Sequence, residues 1–146
     1  MVATIKPQTN QISARGNTAD LEIIRGFVEH QAHTAGFGET DAYQIALAVD
    51  EACSNLIRHS YNNDESREFM VTIEVANEQM IIKIMDNGEP FNPLSVPEPN
   101  MTEYFQKFKH GGLGVFLMRK VMTEINYQPA KNSKSMNILT LTKHFI

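Results

Sequence analysis

The stretch Glu51-Ala-Cys-Ser-Asn55-Leu-Ile-Arg-His59-Ser-Tyr61 sets a carboxylate, a carboxamide and an imidazole four residues apart. Residues at that spacing share one face of a helix, so Glu51, Asn55 and His59 form a polar row. Ile45, Val49, Ala52 and Leu56 form the neighbouring apolar row, which faces a core. The spacing predicts a helix from about Asp41 to Ser60, closed by the turn residues Asn62-Asn63-Asp64-Glu65-Ser66. Immediately after, the period drops to two. Phe69, Val71, Ile73 and Val75 alternate with Met70, Thr72 and Glu74, which is strand spacing.

On the N-terminal side, the first dozen residues supply a strand ending near Ser13. Thr18 or Asp20 caps a helix carrying Leu21, Ile24, Phe27, Val28 and Ala32 at helical spacing, and Gly36 ends it. Phe37 to Asp41 connects to the second helix. On the C-terminal side, Asn77-Glu78 joins the first strand of a hairpin to Met80–Met85. Residues 86 to 114 are irregular, with Pro90, Pro93, Pro97, Pro99 and several glycines. A helix restarts near Leu113 and runs to Met122, and strands near Glu124–Gln128 and Ser135–Lys143 follow. The order β-α-α-β-β-loop-α-β-β predicts an α+β domain: a two-layer sandwich with a mixed, mostly antiparallel sheet and its helices on one face. It is not the βαβ alternation of a dinucleotide-binding sheet.

The chain has 146 residues, 42% hydrophobic and 21% charged, enough for one domain with a sizeable core, here taken as residues 1–146. The net charge of −4 argues against general nucleic-acid binding. The single cysteine, Cys53, excludes an internal disulfide framework and reads as a packed residue. No apolar run reaches membrane-spanning length and no signal peptide is evident, so a cytoplasmic protein without membrane attachment is expected.

Three places carry chemistry. Asp86-Asn-Gly88-Glu-Pro90 is strong turn chemistry; it also places a carboxylate at a strand end, able to accept from an exocyclic amine, with Gly88 allowing a flat ring to approach. His110-Gly111-Gly112-Leu113-Gly114 is either a flexible connector or a set of backbone N–H groups at a helix start suited to an anion. It lacks the lysine and hydroxyl of the common phosphate loop, which makes Lys107 and Lys109 candidate counter-charges. Asn55 is an exposed polar residue or a hard oxygen ligand of the kind magnesium accepts. Glu51 is a surface acid or a proton acceptor. Arg58 reads as solvated and His59 as a structural hydrogen bonder.

In order and spacing these segments resemble the histidine-kinase-like ATPase superfamily, and most closely its small stand-alone anti-sigma-factor serine kinases. The resemblance runs from the first helix to the last strand and implies a Bergerat-type ATP-binding fold. It implies that Asn55 holds Mg2+ and Glu51 is the base, that Asp86 reads the adenine amine and Gly88 shapes its pocket, and that Gly111, Gly112, Leu113 and Gly114 meet the phosphates. It further implies that Thr140 helps hold adenine through water and that residues 91–112 form a lid. His110 stands where many relatives have the first glycine of the third motif. The implied activity is ATP-dependent serine/threonine phosphorylation of a small anti-anti-sigma (STAS-type) protein in a partner-switching circuit. A sigma factor or similar regulator would be the second partner, bound by a homodimer. Two alternatives stay open: a nucleotide-gated binding module without turnover, and the detached ATP-binding domain of a histidine kinase.

Overall fold

A computed structural model describes residues 8–95 and 113–145. Strand β1 (Gln8–Arg15) leads into helix α1 (Thr18–Ala35). Asn17 caps that helix by accepting from the Asp20 N–H at 2.8 Å, while the Asp20 carboxylate accepts from the Arg15 N–H at 2.8 Å. At its other end Gly36 takes the left-handed conformation (φ 113°), and the Phe37 and Gly36 N–H groups bond Ala32 and His33 carbonyls. This paired closure is the Schellman arrangement, which favours glycine at that position.

Helix α2 (Glu39–Asn55) is shorter than its sequence period predicts. From Leu56 to Ser60 the coil widens by one residue per turn, and the Tyr61 N–H reaches the Leu56 carbonyl at 3.1 Å, five residues back. The chain then reverses through Asn62 and Asn63, both left-handed (φ 49° and 65°). The consequence is functional: the expected row of Glu51, Asn55 and His59 does not continue straight. Asn55 is buried, Glu51 half-buried and His59 exposed.

Strands β2 (Glu68–Ala76) and β3 (Gln79–Asp86) form a hairpin whose turn residues Asn77 and Glu78 both have positive φ, the geometry that matches strand twist. After the irregular segment, α3 (Leu113–Val121), β4 (Glu124–Gln128) and β5 (Asn137–His144) complete the described chain. The sheet order is β1-β2-β3-β5-β4. All four pairings are antiparallel, so the expected mixture of strand directions is absent from the described residues. Antiparallel neighbours need no crossover helix between them, which leaves the helices free to gather on one face.

That face is apolar. Phe69, Val71, Ile73, Ile82, Ile84 and Leu141 meet Ile24 and Val28 of α1, Ile45, Val49 and Ala52 of α2, and Met118 of α3, all buried. Cys53 is buried here too, and burial pushes its thiol far above the ordinary range, so it serves as packing. The C-terminus of α3 is fixed by Lys143, whose Nζ donates to the Val121 carbonyl at 2.7 Å, a cation at the negative end of a helix. No helix of the described residues is long and apolar enough to cross a membrane.

Candidate nucleotide site

The strand register decides which side chains reach the helices. Asp86, the last residue of β3, lies opposite Asn137, the first of β5. Both are on the helix face with Ile84 and Leu139, because side chains alternate along a strand. Lys83 lies opposite Thr140 on the other face. Thr140 therefore does not join the site, and Asn137 occupies the place on β5 expected for it.

Asp86 is only 4% exposed. Its Oδ1 accepts two hydrogen bonds, from the Gly88 N–H and from Asn137 Nδ2, each 2.9 Å. Burial raises the carboxyl above its ordinary range, and the Asn137 and Gly88 bonds, with Arg67 nearby, pull it back. Oδ2 takes no protein hydrogen bond among the described residues, and no fully buried side-chain oxygen in that set lacks a partner. Oδ2 is thus the oxygen open to the cleft.

Gly88 is also needed by shape. A Cβ there would collide with the Ser60 carbonyl and come within 2.6 Å of the Tyr61 ring. Gly88 has no positive φ, so close approach to the end of the widened turn, and not backbone freedom, selects glycine. The Glu89 N–H donates to the same Ser60 carbonyl at 3.0 Å. The Tyr61 hydroxyl donates to the Glu68 carbonyl at 2.6 Å, and Arg67 lies 4.2 Å over the Tyr61 ring while donating to Asn87. Turn chemistry and site chemistry coincide at Asp86–Gly88.

A narrow cleft of about 20 Å³ opens above these groups, lined by Ala52, Asn55, Ser60, Asp86, Phe91 and Tyr127, with Leu56, Ile84, Pro93 and Leu139 also on its wall. Most of this lining is apolar, with a few convergent polar groups, the usual make-up of a small-molecule site. The Tyr127 hydroxyl accepts from the Phe91 N–H at 2.9 Å, and the Phe91 ring stacks on His59 with centroids 4.1 Å apart. Burial and the Arg58 charge lower the His59 pKa, which favours the neutral ring. His59 is therefore a packing partner of the cleft wall.

Glu51 and Asn55 come from the α2 face turned toward α3. Asn55 Oδ1 accepts from Arg58 Nη2 at 2.6 Å, so the arginine, exposed as expected, is also tied to the candidate metal ligand. Burial, then the neighbouring Asp50, raise the Glu51 pKa, and Arg58 opposes them. Gly114, in the first turn of α3, lies so close that a Cβ would strike the Glu51 carboxylate. Among the described residues no group of three His, Cys, Asp or Glu side chains could hold a metal alone. One carboxamide oxygen still fits magnesium, which takes one or two protein oxygens and completes its shell with water and phosphate. His110, Gly111, Gly112, Lys107, Lys109 and all but the first five residues of the expected lid lie outside the described residues. Leu113 begins α3, and its backbone alone is placed.

Asn137, Phe91 and Tyr127 were not anticipated from the sequence. Asn137 was within reach: it shares strand parity with the apolar Leu139 and Leu141, whereas Thr140 does not. Phe91 and Tyr127 meet through folding alone, and no local signal joins them.

The chain is 26% identical to the serine/threonine-protein kinase BtrW of Bordetella bronchiseptica, over 95% of this chain and 94% of that one. It is 28% identical to the serine-protein kinase RsbW of Bacillus velezensis, over 84% and 76% of the two chains. Against RsbW of Bacillus licheniformis it is 30% identical, over 73% and 69%. A solved structure of the SiaB–SiaC complex from Pseudomonas aeruginosa shares the fold, with a TM-score of 0.61 at 13% identity, over 92% of this chain and 88% of that one. The model of the histidine kinase-like ATPase domain matches residues 14–143. With its antiparallel sheet, three described helices and cleft at the strand ends, the chain belongs to the histidine kinase-like ATPase domain family.

Proposed function

We propose that this chain is an ATP-dependent serine/threonine-protein kinase of a partner-switching circuit. The observation that carries the reading is Asp86: a buried carboxylate with one oxygen saturated and the other open to an apolar cleft. Such a group accepts from the exocyclic amine of adenine while the apolar walls cover the ring. The names of BtrW and RsbW support protein serine as the class of acceptor.

At the other end of the cleft, Asn55 would hold Mg2+, once its Oδ1 is released by Arg58. The metal, when bound, neutralises charge on the transferring phosphoryl group. Glu51 orients or deprotonates the acceptor hydroxyl, and a carboxylate whose pKa is raised by burial is a better base near neutral pH. The Gly111–Gly114 backbone meets the phosphates, and residues 91–112 cover them. The acceptor is a small STAS-type protein, the second partner is a sigma factor or similar regulator, and the working form is a homodimer.

The test is phosphotransfer with Mg-ATP to the small acceptor-domain proteins of the same genome, read by intact mass and site mapping. One phosphoserine or phosphothreonine, absent with Asn55→Ala, is expected. ATP binding without transfer to any acceptor would replace the kinase by a nucleotide-gated binding module. Phosphohistidine on the acceptor would point to a histidine-kinase module.

A further inference from the structure

Asn137 is fully buried and makes three hydrogen bonds. Its Oδ1 accepts from the Ala130 N–H at 2.8 Å, and its Nδ2 donates to the Gly88 carbonyl and to Asp86 Oδ1, both at 2.9 Å. Two of these partners are backbone groups of fixed polarity. An N–H can only donate and a carbonyl can only accept, so the amide cannot be turned over without losing both bonds. Its remaining proton is thereby aimed at Asp86 Oδ1. That oxygen also receives the Gly88 N–H, so no carboxyl proton fits on it. If Asp86 takes up a proton, it does so on Oδ2, the oxygen facing the cleft.

We propose that Asn137 is a positioning residue that keeps Asp86 an acceptor, and so makes the cleft select 6-aminopurine over 6-oxopurine nucleotides. This rests on the nucleotide reading above. A 6-amino group donates to Oδ2. A 6-oxo group presents an acceptor at the same place, and binds there only if Oδ2 carries a proton. Burial favours that proton, and the Asn137 donor opposes it. Without Asn137 only the Gly88 N–H is left on Oδ1 to oppose that proton, and discrimination between the two purines falls.

The experiment is calorimetric titration of the whole protein with ATP and with ITP from pH 6 to pH 9. The unaltered chain should favour ATP by at least about 100-fold, because a site built around one polar pairing rejects its opposite. Its ATP affinity should change little with pH. Asn137→Asp keeps the acceptor for Ala130 but sets a second carboxylate against Asp86. Two carboxylates in contact cannot both ionise freely, so ATP affinity should drop about tenfold or more at pH 9 and rise as the pair takes up one shared proton. Asn137→Ser adds no charge. It should lower the ATP:ITP preference about tenfold, and it decides the matter if circular dichroism shows Asn137→Asp unfolded.

Wild-type affinity, preference and flat pH dependence in the folded variants would overturn the role of Asn137. Equal binding of ATP and ITP by the unaltered chain would also overturn it, leaving the nucleotide reading intact. No ATP binding at all would remove the nucleotide reading and this proposal together.

Discussion

At the base end of the cleft, Asp86 and Asn137 are bound to each other and to backbone groups of two strand ends and a loop. At the other end, Glu51 and Asn55 are held by one arginine and by the packing of α3. The first end has its hydrogen bonds supplied by the protein itself. The second keeps a half-buried carboxylate whose charge burial disfavours. The difference fits the tasks proposed for them. Recognition of a flat base gains from groups fixed in advance. Phosphoryl transfer needs charge that is compensated only when metal and phosphates arrive.

The largest effect is expected at the second end. Glu51→Gln removes the proposed base but keeps shape and should lower phosphotransfer by about 10²–10⁴-fold. ATP affinity, measured by titration, should shift by less than about threefold. A comparable loss of both would mean that Glu51 belongs to nucleotide binding, and the two ends would not be separable. The same variant carries a stability sign. A carboxyl whose folded pKa is raised contributes stability below its unfolded pKa, and that contribution is lost as pH rises through the folded value. Glu51→Gln should therefore melt higher than the unaltered protein at pH 7 to 8. The gap should close as the buffer is brought down through the ordinary glutamate range.

The base end should break differently. Asp86→Asn can keep its oxygen on the Gly88 and Asn137 donors, but it then points an N–H₂ at the adenine amine. Loss of the charged acceptor together with donor-against-donor contact should weaken ATP binding by about 100-fold, with transfer at saturating ATP less affected. Gly88→Ala tests shape alone. Its Cβ meets the Ser60 carbonyl, a backbone atom that cannot swing away. Thermal or urea unfolding should show a loss of about 1–3 kcal/mol before any ligand is added. An unchanged midpoint would mean that the contact between β3 and the end of α2 is loose.

Much of this was legible in the sequence, because several signals agreed. The apolar row Ile45, Val49, Ala52 and Leu56 is buried as its spacing required, and the hairpin strands fall within a residue or two of their alternation. Gly36 ends α1 by the conformation that favours glycine there. The straight polar row was misread. Helical spacing holds only while the coil has its ordinary pitch, and the widened turn after Asn55 sends His59 outward to Phe91. Nothing in the residues from Leu56 to Ser60 announces that turn, which Gly16 and Gly88, far away in the chain, approach closely. A cleft made of Phe91, Tyr127 and α2 is likewise a product of tertiary packing.

Thr140 gives the smallest expected effect and the sharpest use of strand parity. A hydroxyl in the last strand was expected to steady adenine through water, and composition alone offers Thr140 and Thr142 for that role. The pairing of Thr140 with Lys83 puts it on the sheet face away from the helices, one residue out of phase with Asn137 and Leu139. Thr140→Val keeps its size and β-branching and removes only the hydroxyl, so the strand should accept it at little cost. ATP affinity should then stay within about twofold, whereas the loss at Asp86 is set by a charged hydrogen bond. A loss at Thr140 approaching that at Asp86 would require β5 to pair one residue out of step when nucleotide is bound. A slip of that kind would turn Asn137 away from Asp86 and undo the preformed end of the cleft.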